Sequence, residues 1–303
     1  MQESMVLAFD MGGTDLKCAR ISKDGDVRDF KSLPSRALEG EAGVFAAVRA
    51  GVDAVGGPLG PAVAGFGCPG ITEPDTGVLV DARPNVQLPL DFPMRARLES
   101  LLNLRVALDN DANMAALAEH RVGAGRGSRV SITVTVGTGI GCGIVIGGAV
   151  IRGAHGGAGE LGHMPIGADG PACGCGVPGC GEPLAGGAGL VRRAREAGLE
   201  AASAREVFAS QQPKAAFLRE RMVDALARQL GCAVQLLDPE VIIVGGGVSL
   251  AGEALLGPLR VALERYVLPA TRRHLRVVPA ALGERAGVIG AGLAAWDLLA
   301  TPR

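Results

Sequence analysis

The sequence predicts an α/β protein of two similar lobes with a cleft between them, and three observations carry that expectation. A strand–turn–strand–turn–strand pattern opens the chain and returns near Val130. Each occurrence is followed by alternating helical and strand patterns. The 47 glycines among 303 residues gather at strand ends, where backbone must pass close to something.

The elements follow in order. Met5 to Phe9 is an apolar run that ends in Asp10; Gly12-Gly13-Thr14 turns the chain, Leu16 to Ser22 returns it, and Asp24-Gly25-Asp26 leads to a third run. Helical periodicity predicts helices near 42–55, 92–101 and 112–122, with strands at 61–66 and 104–108. The second set begins with Val130 to Val136, turns at Gly137-Thr138-Gly139-Ile140-Gly141, returns through Cys142 to Ile146, and turns again at Gly147-Gly148 before 149–152. Helices near 215–237, 252–266 and 285–299 and strands at 241–244 and 275–278 complete it. The expected division is an N-terminal lobe over 1–122 and a larger lobe over 123–285, with the last helix, about 286–303, packing back on the first lobe. Gly123 to Ser128 is the candidate crossing point, and its glycines suit a hinge.

Composition limits the function classes. At 48% hydrophobic residues the chain can bury a substantial core. Thirty basic and 31 acidic residues give a net charge of -1 with no run of one sign, which argues against a nucleic-acid or anionic-membrane partner. One Trp, one Tyr and seven Phe leave little for stacking single strands. No run of eighteen apolar residues occurs, and Met1-Gln2-Glu3-Ser4 lacks a basic secretory start, so a cytoplasmic protein is expected. Cys18, Cys68, Cys142 and Cys232 lie singly in apolar stretches and are expected to be reduced and buried.

The densest chemistry lies at 163–180. His163, Cys173, Cys175 and Cys180 have the composition of a tetrahedral Cys3His zinc site. Four protein ligands leave no position for activated water, so the zinc is expected to be structural and to position the flanking acids Glu160 and Glu182.

Two glycine turns suit a nucleotide phosphate tail. At Asp10-Met11-Gly12-Gly13-Thr14 the backbone N–H groups can face an anion, Thr14 adds a hydroxyl and Asp10 can hold Mg2+ through water. Gly137-Thr138-Gly139 repeats that chemistry. Neither fits the Walker pattern. Gly65-Phe66-Gly67-Cys68-Pro69-Gly70 matches G-x-G-x-x-G, but the Ile71-Thr72-Glu73-Pro74 that follows is turn sequence where a dinucleotide fold needs a helix start. Gly245-Gly246-Gly247 follows an apolar strand and offers bare backbone to a planar group such as adenine. Asp109-Asn110-Asp111 stands where a strand meets a helix. One of these residues can cap the helix while a carboxylate takes the proton of a hydroxyl attacking phosphorus.

Together, Asp10-x-Gly-Gly-Thr-x-x-Lys17, Gly67-Cys68-Pro69-Gly70, Asn110-Asp111-Ala112-Asn113, Gly159-Glu160-Leu161-Gly162-His163 and Cys173-Gly-Cys175-Gly-x-x-Gly-Cys180-x-Glu182 resemble the ROK family of repressors, open reading frames and sugar kinases. That resemblance implies the actin, Hsp70 and sugar-kinase superfold, with two ribonuclease-H-like lobes related by duplication. It implies Asp111 as the base for a sugar 6-hydroxyl, with Asn110, Glu160, His163, Glu182 and backbone at Gly67 holding the other hydroxyls. It further implies Gly12, Gly13, Thr14, Lys17 and Gly137-Thr138-Gly139 at the ATP phosphates, Gly245 and Gly246 beside adenosine, and Asp10 organising Mg2+. His163 would ligate zinc through one ring nitrogen and reach the sugar with the other.

The implied activity is ATP-dependent phosphorylation of a hexose, glucose first, with an N-acetylhexosamine, mannose or fructose kinase as the alternative. Closure of the lobes would exclude water. The implied assembly is a homo-oligomer, dimer or tetramer. A sugar-responsive regulator without catalysis is the competing class; its helix-turn-helix is not expected here, because only nine residues precede Asp10. The chain departs from the common family pattern at Asp109, Val177-Pro178 and Pro183, which bear on sugar identity rather than catalysis.

Overall fold

The structure is a computed structural model, which describes residues 4–82, 84–167 and 170–300. Ala168 and Asp169 of the expected metal loop, the Met1–Glu3 start and residues 301–303 of the expected last helix lie outside the described residues. The chain parts into two compact units, one comprising Met1–Arg126, Gly148–Ala158 and Glu284–Arg303, the other Gly127–Gly147 and Gly159–Gly283. Among the described residues no helix is long and apolar enough to cross a membrane.

In chain order the elements are β1 (Val6–Met11), β2 (Asp15–Ile21), β3 (Val27–Pro34), α1 (Gly40–Val55), β4 (Val63–Cys68), β5 (Ile71–Thr72), β6 (Leu79–Asp81), α2 (Met94–Leu102), β7 (Arg105–Asn110) and α3 (Asp111–Val122). There follow β8 (Val130–Val136), β9 (Ile140–Ile146), β10 (Ala149–Val150), α4 (Glu182–Ala185), α5 (Gly187–Glu196), α6 (Ala204–Ala209), α7 (Pro213–Leu237), β11 (Val241–Gly245), α8 (Glu253–Leu263), α9 (Pro269–Arg272), β12 (Arg276–Pro279) and α10 (Ala286–Ala300).

The first unit is built on a sheet of order β3-β2-β1-β4-β7. Its first two pairings are antiparallel hairpins, while β4 and β7 run parallel to β1. Strands β1 and β4 are almost wholly buried and read as apolar runs, as strands covered on both faces must. Helix α10 comes close enough to the sheet that a Cβ on Gly65 would stand 1.8 Å from Ala291 O; one on Gly290 would stand 1.7 Å from Met114 O of α3. Small residues at these two points are therefore a packing requirement, and α10 is buried along most of its length. The predicted long elements recur with shifts of up to three residues at their ends, the largest at the helix expected near 252–266, which stops at Leu263. The β5–β6 hairpin has no counterpart among the predicted elements, because two- and three-residue strands carry no period.

The second unit repeats the arrangement. Its strands pair in the order β9-β8-β11-β12, with β8 and β9 antiparallel and β11 parallel to both neighbours. Helix α7, 25 residues long, starts with Pro213 at its first position and ends at Asp238 in the left-handed region, φ 46°. The cysteine expectation needs one correction. Cys18, Cys68 and Cys142 are buried, but Cys232 is exposed. An apolar neighbourhood on a helix does not bury every position in it; the 3.6-residue period puts Cys232 on the outer face with Arg228 and Leu236.

Candidate active site and metal centre

In the first unit three parallel strands end side by side. Asp10 of β1 is in register with Gly67 of β4, and Gly67 with Asp109 of β7; Cys68 is in register with Asn110. Open α/β sheets bind ligands beyond such carboxyl ends of strands. A Cβ on Gly67 would stand 3.6 Å from Asp10 Oδ1 and 3.6 Å from Asp111 Cα, so this glycine separates two carboxylate-bearing residues.

Asn110 caps α3: its Oδ1 accepts the N–H groups of Ala112 at 2.8 Å and Asn113 at 3.3 Å, and its Nδ2 donates to Gly70 O at 3.0 Å. Asn110 thus does the capping. Asp111, the first helical residue, has Oδ1 2.9 Å from the Ala112 N–H. Asp109 is 4% exposed and accepts from Asn113 Nδ2 at 2.8 Å, from its neighbour Asn110 N–H at 2.8 Å and from Arg152 Nε at 2.6 Å. In the sequence Asp109 stands out as one of three polar residues at the strand-to-helix junction and as a departure from the family pattern, whereas Arg152 does not stand out at all.

Burial pushes the Asp10 carboxyl above its usual range, against the pull of Lys17, whose Nζ is 3.7 Å from Oδ2. A Cβ on Gly287 would come within 2.4 Å of that carboxyl, so α10 walls it in. At the β1–β2 turn Gly12 N–H donates to Asp15 O at 2.7 Å, and neither Gly12 nor Gly13 has a positive φ. The nearest atom to a Cβ on Gly13 would be 3.7 Å away, so the chain itself does not need glycine there and an approaching ligand would.

The second unit holds the other candidates. A Cβ on Gly137 would likewise meet no atom within 4 Å, and this residue has no positive φ. Gly246 differs: its φ is 83° and a Cβ would meet Val136 O at 2.5 Å, so its glycine is explained by the turn after β11. Glu182 Oε2 accepts the Ile140 N–H at 2.9 Å, which ties the carboxylate to the glycine turn, and a Cβ on Gly139 would stand 2.4 Å from the same oxygen. Burial raises the Glu160 carboxyl above its usual range, with His163 opposing and the Glu182 charge adding to the rise.

His163, Cys173, Cys175 and Cys180 converge so that one donor atom from each lies within 4.8 Å of all the others. A tetrahedron with metal–ligand distances of about 2.0–2.3 Å has edges somewhat shorter than this, so modest closure suffices. His163 Nδ1 is 3.4 Å from Cys180 Sγ and 3.8 Å from Cys173 Sγ, while Nε2 faces Glu160 at 3.8 Å. The ring therefore presents one nitrogen to the thiols and the other to an acid. Three thiols and one imidazole can hold a metal ion and fit the soft, tetrahedral preference of zinc.

Sheets of this order, with strand-end carboxylates and a glycine turn beside the first hairpin of each unit, define the actin- and hexokinase-like class of folds. Residues 6–297 match the ROK family, and the chain belongs to it. It is 35% identical to a glucokinase of Halalkalibacterium halodurans over 96% of this chain and 95% of that protein. Among solved structures, a ROK hexokinase from Thermus thermophilus superposes with a TM-score of 0.84 at 37% identity, covering 98% of this chain and 99% of that one. A ROK family glucokinase from Streptomyces griseus, in complex with glucose and AMPPNP, superposes with a TM-score of 0.83 at 31% identity, covering 97% and 99%.

Proposed function

We propose that the chain transfers the γ-phosphoryl group of ATP to the 6-hydroxyl of a hexose, with glucose the preferred acceptor. The observation that carries this reading is the placement of Asp10 and Asp111 on either side of Gly67 at the ends of parallel strands. The two relatives named for glucose, one of them holding it with an ATP analogue, support the choice of substrates.

Asp111 takes the proton as the hexose oxygen bonds to the γ-phosphorus, and the bond from phosphorus to the β–γ bridging oxygen breaks to release ADP. The N–H groups at Gly12, Gly13 and Gly137 to Gly139, with the hydroxyls of Thr14 and Thr138, bind the phosphates. Lys17 adds positive charge there, and Gly245 and Gly246 leave room for adenosine. Asp10 would hold Mg2+, which would supply charge neutralisation for the phosphoryl group being transferred. Asn110, Glu160, His163, Glu182 and backbone at Gly67 orient the hexose. His163, Cys173, Cys175 and Cys180 would hold a zinc ion, whose contribution would be to fix the imidazole rather than to act on the substrate. The same reading takes the protein to be a cytoplasmic homo-oligomer, dimer or tetramer.

A coupled ADP-release assay over glucose, N-acetylmannosamine, mannose and fructose tests the proposal. The highest kcat/KM is expected with glucose. Release that no sugar stimulates would sink the kinase reading, and a preference for N-acetylmannosamine would move it to the alternative acceptor.

A further inference from the structure

Gln229 is the one polar side chain among the buried residues of α7, and it is 0% exposed. Its Nε2 donates to Leu161 O at 2.7 Å and to Gly162 O at 2.8 Å, the two carbonyls that precede His163. Its Oε1 is buried with no hydrogen-bond partner. The orientation of the amide is therefore set by chemistry: turned over, its oxygen would face two carbonyl oxygens. The amide also lies against Gly181, where a Cβ would stand 2.4 Å from Nε2 and 2.7 Å from Cδ. Gly181 separates Cys180 from Glu182, and its N–H donates to Met164 O at 3.1 Å. One side chain thus touches the strand of chain entering the metal loop and the one leaving it.

Packing alone would be met at this position by Met or Leu. An unpaired buried carbonyl carries a desolvation penalty that an apolar residue would avoid. What an apolar side chain could not supply is the pair of donors that holds Leu161 O and Gly162 O. We infer that Gln229 is a positioning residue, which clamps the base of the metal loop so that His163 meets the three cysteines and Glu160 and Glu182 keep their aim. The metal half of this inference stands on the donor geometry; the hexose half rests on the kinase reading above.

The test compares wild type with Gln229→Met, each purified with its zinc, by the rate of zinc transfer to a colorimetric chelator and by calorimetric titration with glucose. Thermal melting of the same samples checks that the variant is folded. Removal of a group that orients a metal ligand weakens metal binding by about 10–100-fold, so zinc release is expected to quicken by at least about tenfold and glucose to bind about tenfold more weakly. If Gln229→Met does not fold, Gln229→Asn, one methylene too short to reach both carbonyls, is expected to show the same two changes. A folded variant that releases zinc within about twofold of wild type overturns the inference, as does a wild type that carries no zinc. Faster zinc release in a protein whose wild type binds no hexose would sustain the clamp and remove the kinase reading. Normal zinc release in a wild type and variant that bind glucose equally would do the reverse.

Discussion

Arg152 Nε lies 2.6 Å from Asp109 Oδ2, and Asp109 is the buried residue immediately before the Asn110–Asp111 pair. The carboxylate also receives Asn113 Nδ2 and the Asn110 N–H, so three donors from three directions fix the start of α3. A base at the first helical position can be no better aimed than this turn allows. Arg152→Met leaves the carboxylate with two donors. Because the Arg152 side chain is 38% exposed, the stability cost is set by screening at about 1–2 kcal/mol. Thermal melting should show that loss, and kcat should fall while the KM for ATP stays near wild type. Unchanged kcat in a destabilised variant would make the pair purely structural.

Asp10 illustrates a conflict between stability and activity. Its folded-state pKa is raised by burial, so between the ordinary carboxylate value and the raised one the native state binds more protons than the unfolded state. Stability is therefore present at low pH and is lost as pH rises through the folded pKa. In magnesium-free, nucleotide-free buffer, wild type should lose melting temperature relative to Asp10→Asn, whose amide has no such dependence, as pH rises from about 4, near the ordinary carboxylate value, to about 7. Asp10→Asn should be the more stable protein at pH 7 and nearly inactive. Equal pH slopes for the two proteins would contradict this.

The thiols offer a count that reports on the metal. Burial pushes Cys18 up to about 11 and Cys68 and Cys142 up to about 12, so these three stay protonated and slow to react. Cys232 is exposed. Ellman titration of native, zinc-loaded protein should find one fast thiol, and removal of zinc should add Cys175 and Cys173 and raise the count to three, while Cys180, 0% exposed and pushed up to about 12 by burial, stays slow. Three fast thiols before chelation would mean that Cys173, Cys175 and Cys180 hold no metal.

The fold is legible where period and burial agree. Strands β1, β4 and β11 are apolar runs, β8 alternates Val and Ile with Ser and Thr before the Gly137 turn, and α7 follows the helical period, so both halves of the repeat can be read. Helices α4, α5 and α6 escape such a reading, since they are short and α5 has Gly187 and Gly189 in its first turn. The donor set His163, Cys173, Cys175 and Cys180 is readable because its ligands lie close together in the chain. Arg152 and Gln229 are not, because each acts on a segment distant in sequence: Arg152 on Asp109, Gln229 on Leu161 and Gly162. A signal for Gln229 is present all the same, a lone amide at a position where the apolar face of Leu226, Leu230 and Ala233 should continue. Recognising it requires asking what would pair with a buried amide rather than which face it lies on.

Glucose-dependent ADP release by Asp111→Asn, set beside calorimetric binding of glucose to the same variant, tests the central claim most directly. A positioned general base contributes about 10²–10⁴-fold, so kcat is expected to fall by at least about a hundredfold with glucose still bound within a few-fold of wild type. A variant that binds glucose and turns over at the wild-type rate would show that Asp111 does not take the hydroxyl proton.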